Sequence, residues 1–399
     1  MILKNDKKDM RKILTTKGEL SINRTVLRPI NTESLEKLML ESNSKSIVPL
    51  DILLKISDLP FKMTREMMCE VAFWGQNQSS YKAASEILLK VHGTSIAPDT
   101  VRVVTDFVGR IVFKEDTREA NRIYDDIQNL KHDGNKKGVL YIQTDGAALN
   151  TRTKNAEGST WRENKLGIVF SSENVRKSMN KKGESTSKVL KKEYTSYVGS
   201  AQEFKKYLFA CAVRNGYGKY KNTVILSDGA TWIRNIADEL FPDATQILDL
   251  FHLCENTYDY AKAIFKNDES KYIPWADDII EKLKDGKKDD VVKTLNGLKN
   301  RKIPKNTVNL HTYVMNNINK IDYKEYKGNG YYIGSGIIES GNKVVLQKRL
   351  KLAGMRWEPL FAQNLLSLRA KLESGLWHSH VVKKLLEYDF SDAIDTTAQ

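Results

Sequence analysis

The arrangement of apolar and polar positions changes character twice along the chain. Residues 11–28, RKILTTKGELSINRTVLR, alternate polar and apolar around Lys17-Gly18, which is the period of a β-hairpin. From 64 to 112 the apolar positions recur at helical spacing. TREMMCEVAFWG has Thr64 as an N-cap and Gly75 as a stop. SSYKAASEILLKVHG sets Ala84, Leu88 and Val91 on one face and stops at Gly93. APDTVRVVTDFVGRIV has Pro98 in a first turn and Val101, Val104, Phe107 or Val108, and Ile111 along one side. Residues 113–137 read as a separate polar helix and a Gly/Lys linker, placing a boundary near 135.

Beyond 138 the runs shorten and become strand-like. GVLYIQTDG, KLGIVFSSE (165–173) and EYTSYVGS (193–200) precede a helix, AQEFKKYLFACAVRNG. NTVILSDGA (222–230), the helix TWIRNIADELFP and ATQILDLFH (244–252) follow, the last running into another helix. The order β-β-β-α-β-α-β-α predicts a mixed sheet with helices on both faces. The Lys/Ser/Asn segment 174–193 reads as a mobile loop. Residues 267–326 are helical and charged, and glycine-rich KGNGYYIGSG leads into the helix IIESGNKVVLQKRLKL. The chain then turns at Gly354 into a final helix.

Composition narrows the class. With 399 residues, 40% hydrophobic, the chain can build two or three cores. No apolar run approaches the ~18 residues of a membrane span, and MILKNDKKDMRK lacks the apolar centre of a secretory signal. A cytoplasmic location without a membrane partner is expected. Cys69, Cys211 and Cys254 are far apart, against disulfides and a zinc knuckle. The net charge of +14 points to a polyanionic partner. The basic residues recur through 162–165, 174–193, 297–306 and 347–357, as suits a protein tracking a long nucleic-acid backbone. Helix, glycine turn and helix within 64–112 make a helix-turn-helix-like outline, with Thr100, Arg102, Thr105 and Arg110 as outward candidates. A plain helical bundle has the same outline. No dinucleotide fingerprint, Walker loop or nucleophile elbow is present.

Two runs then stand out. YIQTDGAALN (141–150) and VILSDGATWI (224–233) both end an apolar strand at Asp-Gly-Ala. If the strands are parallel neighbours, Asp145 and Asp228 emerge at one sheet edge while each glycine lets the chain turn away. Adjacent carboxylates repel unless a cation sits between them. Ordinary turn residues are the alternative reading. Glu339, in GSGIIESGNK, is the candidate third acid. Asn342, Lys343 and Gln347 share its helical face, and an exposed Glu-Lys pair is the bland alternative. Three carboxylates holding two Mg²⁺ or Mn²⁺ ions make a phosphodiester-processing centre.

Asp145 ending a first strand, SDGATWI, DLFHL, a helical insertion and GSGIIESGNK…RLKLAGMRW together resemble DDE transposases of bacterial insertion sequences, in the mutator-like group. The resemblance covers about 60–399. It implies an α/β, ribonuclease-H-like mixed sheet with a helical insertion, preceded by an α-helical DNA-binding region. The expected domains are a hairpin and linker (1–60), a helix-turn-helix-like region (61–135), a catalytic core (136–266), an insertion (267–330) and C-terminal helices with the last acid (331–399). Asp145, Asp228 and Glu339 match the metal-holding acids. Asp249 and His252 match a D-x-x-H element near the site, and Trp232 an aromatic packed beneath it. Lys343, Arg349, Arg356 and Trp357 join Thr100, Arg102, Arg110 and His252 as expected DNA contacts, with Trp357 stacking on a base or packing in the core. The implied activity cuts element ends in double-stranded DNA and joins the 3′-OH to target DNA, in a homodimer or larger assembly in a bacterial cytoplasm. A hydrolytic nuclease or resolvase, and a non-catalytic DNA-binding derivative, are the alternatives. The chain departs from the group in lacking an N-terminal cysteine cluster and in starting within a hairpin, which raises the expectation of a longer native chain.

Overall fold

The computed structural model describes residues 3–42, 45–179 and 185–390. Contacts divide the chain into two units, Met1–Lys114 with Leu376–Gln399, and Glu115–Gly375.

The first unit opens with the antiparallel hairpin β1 (Leu3–Thr15) and β2 (Gly18–Pro29). Its tight turn is closed by Gly18 at φ 113°, a region open to glycine. Helices α1 (Thr32–Ser42) and α2 (Pro49–Leu53) follow. The buried carboxylate of Asp51 accepts from Arg11 Nη1 at 2.8 Å and from Arg24, so α2 is pinned to both strands. α3 (Arg65–Asn77) is capped by the Thr64 hydroxyl, and α4 (Tyr81–His92) by that of Ser80. Gly93, at φ 65°, ends α4 in the left-handed conformation.

α5 (Pro98–Asp125) joins what the sequence pattern separates into two helices. The apolar row Val101, Val104, Val108 and Ile111 extends to Val112 and Ala120, so nothing interrupts it near 113. The division between the two units falls within this helix. Gly75 is not a stop. It lies inside α3 where a Cβ would come 2.0 Å from Thr105 Oγ1 of α5. Thr105 is therefore turned inward, 1% exposed, with its hydroxyl donating to Val101 O at 2.6 Å, and is not an outward candidate. Arg102 is exposed, and Thr100 and Arg110 are half-buried.

The second unit is built on β3 (Lys136–Asn150), β4 (Trp161–Ser171), β5 (Val175–Met179), β6 (Ser185–Val189) and β7 (Glu193–Val198). α6 (Ala201–Arg214), β8 (Tyr220–Ser227), α7 (Thr231–Leu240), β9 (Thr245–Leu248) and α8 (Leu250–Ile264) follow. Five strands form one mixed sheet in the order β7-β4-β3-β8-β9. β4 runs antiparallel to both its neighbours, while β3, β8 and β9 are parallel. The chain is thus mixed α/β. The stretch expected as a mobile loop contains the antiparallel pair β5–β6, Val175 opposite Val189; its residues 180–184 lie outside the described ones.

Alternation along the strands sets two cores. Leu140 and Ile142 of β3 and Ile225 of β8 face α6 and α7, joining Phe204, Leu208 and Ile236. Tyr141, Leu149, Val224 and Leu226 face the other side. There they meet α8, the insertion helices α9 (Glu269–Lys284), α10 (Lys288–Asn296), α11 (Leu310–Asn316) and α12 (Tyr323–Gly328), and the C-terminal elements. These last are α13 (Gly336–Gly341), a π-helical turn (Asn342–Gln347), α14 (Lys348–Leu350) and α15 (Pro359–Glu373). Among the described residues no helix is long and apolar enough to cross a membrane.

The α3–α5 crossing gives a direct test. Gly75→Ala gains up to about 1 kcal/mol of helix propensity but meets a buried β-branched side chain, and overpacking costs about 1–3 kcal/mol. A net loss of thermal stability is expected, partly restored by adding Thr105→Ala. An unchanged midpoint in the single variant would contradict the crossing.

Candidate functional site

The two Asp-Gly-Ala runs have different backbones. β3 does not end at Asp145; it continues to Asn150, with Asp145 paired to Leu166 and Gly146 to Lys165 of β4. A Cβ at Gly146 would meet the tip of the exposed Glu163 side chain, 2.0 Å from Oε1, which would have to swing away. At the second run the chain does turn. β8 ends at Ser227, Gly229 adopts φ 88°, and Ala230 N donates to Asp228 Oδ1 at 2.9 Å before α7 begins.

The two acids nonetheless meet. β3 and β8 are parallel neighbours with Gln143 opposite Leu226. The same register, carried two residues on, brings Asp145 level with Asp228. Parity along β3 puts Asp145 on the face of Tyr141, turned toward the C-terminal elements, and Asp228 follows directly after the end of β8. Asp145 is pushed above the ordinary carboxylate pKa by burial first and then by the charge of Asp228, with a smaller push from Glu339. The Gly146 N–H at 2.8 Å from Oδ1 and the charge of His252 oppose this.

Glu339 comes from the far side of the insertion. The turn before α13 is locked by Asp249, which is fully buried at the end of β9. Its carboxylate accepts four hydrogen bonds: His252 N at 3.0 Å, His252 Nδ1 at 2.6 Å, Ser335 N at 2.7 Å and Ser335 Oγ at 2.8 Å. The Ser335 hydroxyl also lies 3.2 Å from Glu339 Oε1. Ile338 N donates to Gln143 Oε1 at 3.1 Å, fastening α13 to β3. Glu339 is half-buried at this junction.

The helix then widens into the π-helical turn, so the regular spacing expected for Asn342, Lys343 and Gln347 is lost. Asn342 is buried and donates from Nδ2 to Asp145 Oδ2 at 2.7 Å. Lys343 and Gln347 are exposed. The carbonyls of the widened turn are held by the buried guanidinium of Arg369 in α15, which donates to Val345 O at 2.7 Å and to Val344 O.

His252 faces this acidic group. The hydrogen bond to Asp249 raises its pKa, burial opposes, and the charges of Asp249, Asp228 and Asp145 complete a push up to about 9. The raised value favours the imidazolium, with Nδ1 donating to Asp249. Asp249, despite burial, is held below its ordinary value by the bonds from His252 and Ser335.

The donor set can be weighed against a divalent cation. Asp249, His252 and Glu339 offer atoms within 4.8 Å of one another, the one such group among the described residues. Asp249 already meets four donors, about the capacity of a carboxylate, and His252 Nδ1 is engaged by Asp249. Asp145, Asp228 and Glu339 are spaced more widely. They retain oxygen lone pairs after the bonds given above, and the charges of Asp228 and Glu339 both bear on Asp145.

The other expected contacts divide. Arg356 is exposed. Arg349 is buried at 1% exposure with its guanidinium 5.2 Å from the Trp357 ring centroid. Trp357 is 8% exposed, stacks on Phe361 and donates from Nε1 to Leu350 O at 2.9 Å. Neither side chain reaches the surface to touch DNA; both belong to the core. Trp232 packs edge-on against Phe204, with Lys165 over its ring. Ser335, Gln143 and Tyr313 were not singled out from the sequence. Gln143 had a signal, a lone amide in an apolar strand, and Ser335 sits between glycines. Tyr313 of α11, which donates to Asp228 O at 2.7 Å, had none.

No protein-family model matches the chain, and no curated protein matches it.

His252 makes the site's pH behaviour testable. Its folded pKa of about 9 exceeds the ordinary 6.5, so its contribution to stability is complete below 6.5 and is lost as pH rises through about 9. The stability gap between wild type and His252→Gln should narrow between those values in thermal melts. A gap independent of pH would show that His252 is not charged in the fold.

Proposed function

We propose that the chain is a DDE-type DNA transposase with a ribonuclease-H-like catalytic unit. The observation behind this reading is the meeting of Asp145 on β3 with Asp228, directly after its parallel neighbour β8, joined by Glu339 from beyond a helical insertion. The sheet order supports it: counted within the sheet it is 3-2-1-4-5, with the second strand alone reversed. The +14 charge supports a DNA partner. In this reading, the exposed Arg102 and Arg356 and half-buried Thr100 and Arg110 contact DNA phosphates, and two copies hold two DNA ends.

Asp145, Asp228 and Glu339 would hold two Mg²⁺ or Mn²⁺ ions, which when bound activate the attacking oxygen and stabilise the leaving one. The chain's own residues prepare the place. Asn342 fixes the rotamer of Asp145. Ser335, held by Asp249 through its N–H, places its hydroxyl between Asp249 and Glu339, free to donate to either. The His252 imidazolium offsets part of the negative charge, so the acids coexist before any cation arrives. Tyr313 and Gly229 keep Asp228 at the end of β8.

The test uses DNA flanking the gene, purified protein and Mg²⁺. Cut and joined strands are expected from wild type. Glu339→Gln should lose at least about 10²–10³-fold, the scale of removing one transition-state stabilising group, while still binding DNA. Cutting without joining would favour the hydrolytic nuclease. Binding with no cutting by wild type would sink the catalytic reading.

A further inference from the structure

An open groove of about 810 Å³ lies between the β5–β6 hairpin and the glycine-rich approach to α13. Lys188, Lys192 and Lys327 line it, with no carboxylate among its lining residues. Its apolar wall includes Tyr331, Tyr332 and Ile337. Tyr332 is fixed in place by the Tyr141 ring, 5.0 Å between centroids. Lys192 is half-buried over the Tyr194 ring. Burial, with the like charge of Lys188, holds its pKa below the ordinary value against the pull of Glu373. An anion in the groove would relieve that penalty. Ile337 and Ser340 of α13 border the groove on either side of Glu339 in sequence.

We propose that this groove holds an unpaired stretch of DNA strand, with phosphates on Lys188, Lys192 and Lys327 and a base against Tyr331. The inference rests on the nucleic-acid reading above and adds a site to it. Cations that neutralise phosphates, next to half-buried aromatic rings, are what a single strand needs, because every base offers a stacking face and every linkage a charge. The groove lies in the size range of pockets for small organic ligands, about 300–1,000 Å³, and takes a few nucleotides.

The experiment is fluorescence anisotropy on the full chain carrying Glu339→Gln, without divalent metal, using a labelled ten-nucleotide oligo-dT and a blunt duplex. Tyr331→Ala should weaken oligo-dT binding about 5- to 100-fold, the range of losing one stacked base, and leave duplex binding unchanged. Tyr331→Leu, which keeps apolar bulk in the wall, should show the same loss if the alanine variant folds poorly. Replacing the three lysines by alanine should reduce the slope of log affinity against log salt by about two, at about 0.7 per single-strand phosphate contact. Equal oligo-dT binding by parent and Tyr331→Leu would overturn the proposal, as would a parallel loss of duplex binding or displacement by polyglutamate as effective as by DNA. No cutting is measured, so a failed cleavage assay leaves this result standing, and loss of the groove leaves the acids untouched.

Discussion

One buried carboxylate organises the second unit. Asp249 has no exposure to solvent, and a charge in that position survives only if donors replace the lost water. The four hydrogen bonds from His252 and Ser335 do so. They also impose geometry. The start of α8 and the turn before α13 are brought to the same point at the end of β9, and Leu250 N closes the junction by donating to Ile333 O at 3.0 Å. Glu339 follows from this. It approaches the sheet because the residue that precedes its helix has no other way to satisfy Asp249.

A second buried ion stabilises the next step. Widening a helix leaves carbonyls without their regular partners, and the π-helical turn after α13 would be costly on its own. Arg369 donates to two of those carbonyls from α15. Its pKa is lowered to about 10 by burial, with Arg349 adding to the effect and Glu373 opposing it. The widened turn is thus built in, and its product is the contact from Asn342 to Asp145. The insertion helices serve the second acid in the same way, through the Tyr313 hydroxyl on Asp228 O and the Tyr323 hydroxyl on Leu248 O at 3.0 Å.

The mixed sheet was legible in the sequence because strand periods and the αβ alternation are local. Asp145 and Asp228 could be singled out because polar residues ending apolar runs are conspicuous, and Glu339 because a glycine-rich entry precedes its helix and a basic run follows. What was hidden depended on partners remote in sequence. Asp-Gly-Ala suggests a turn in both runs, yet the pairing of β4 carries β3 straight through the first. Gly75 resembles a helix stop until Thr105 is known to lie against it. Arg349 lies in a basic run, which is usually solvated, and Trp357 was open to either a base or the core; both are inside, with Phe361 of α15 stacked on Trp357. A π-helical turn has no composition of its own, so the role of Asn342 could not be read from spacing.

The contacts that complete the acidic site span about half of the chain. Asn342 and Asp145 are 197 residues apart, and Ile338 and Gln143 are 195. Closing loops of that length is entropically unfavourable and slow compared with pairing adjacent strands. During synthesis the first two acids leave the ribosome well before Glu339 is made. A growing chain therefore owns a sheet with two neighbouring carboxylates and no third until the segment carrying Glu339 has been made and docked.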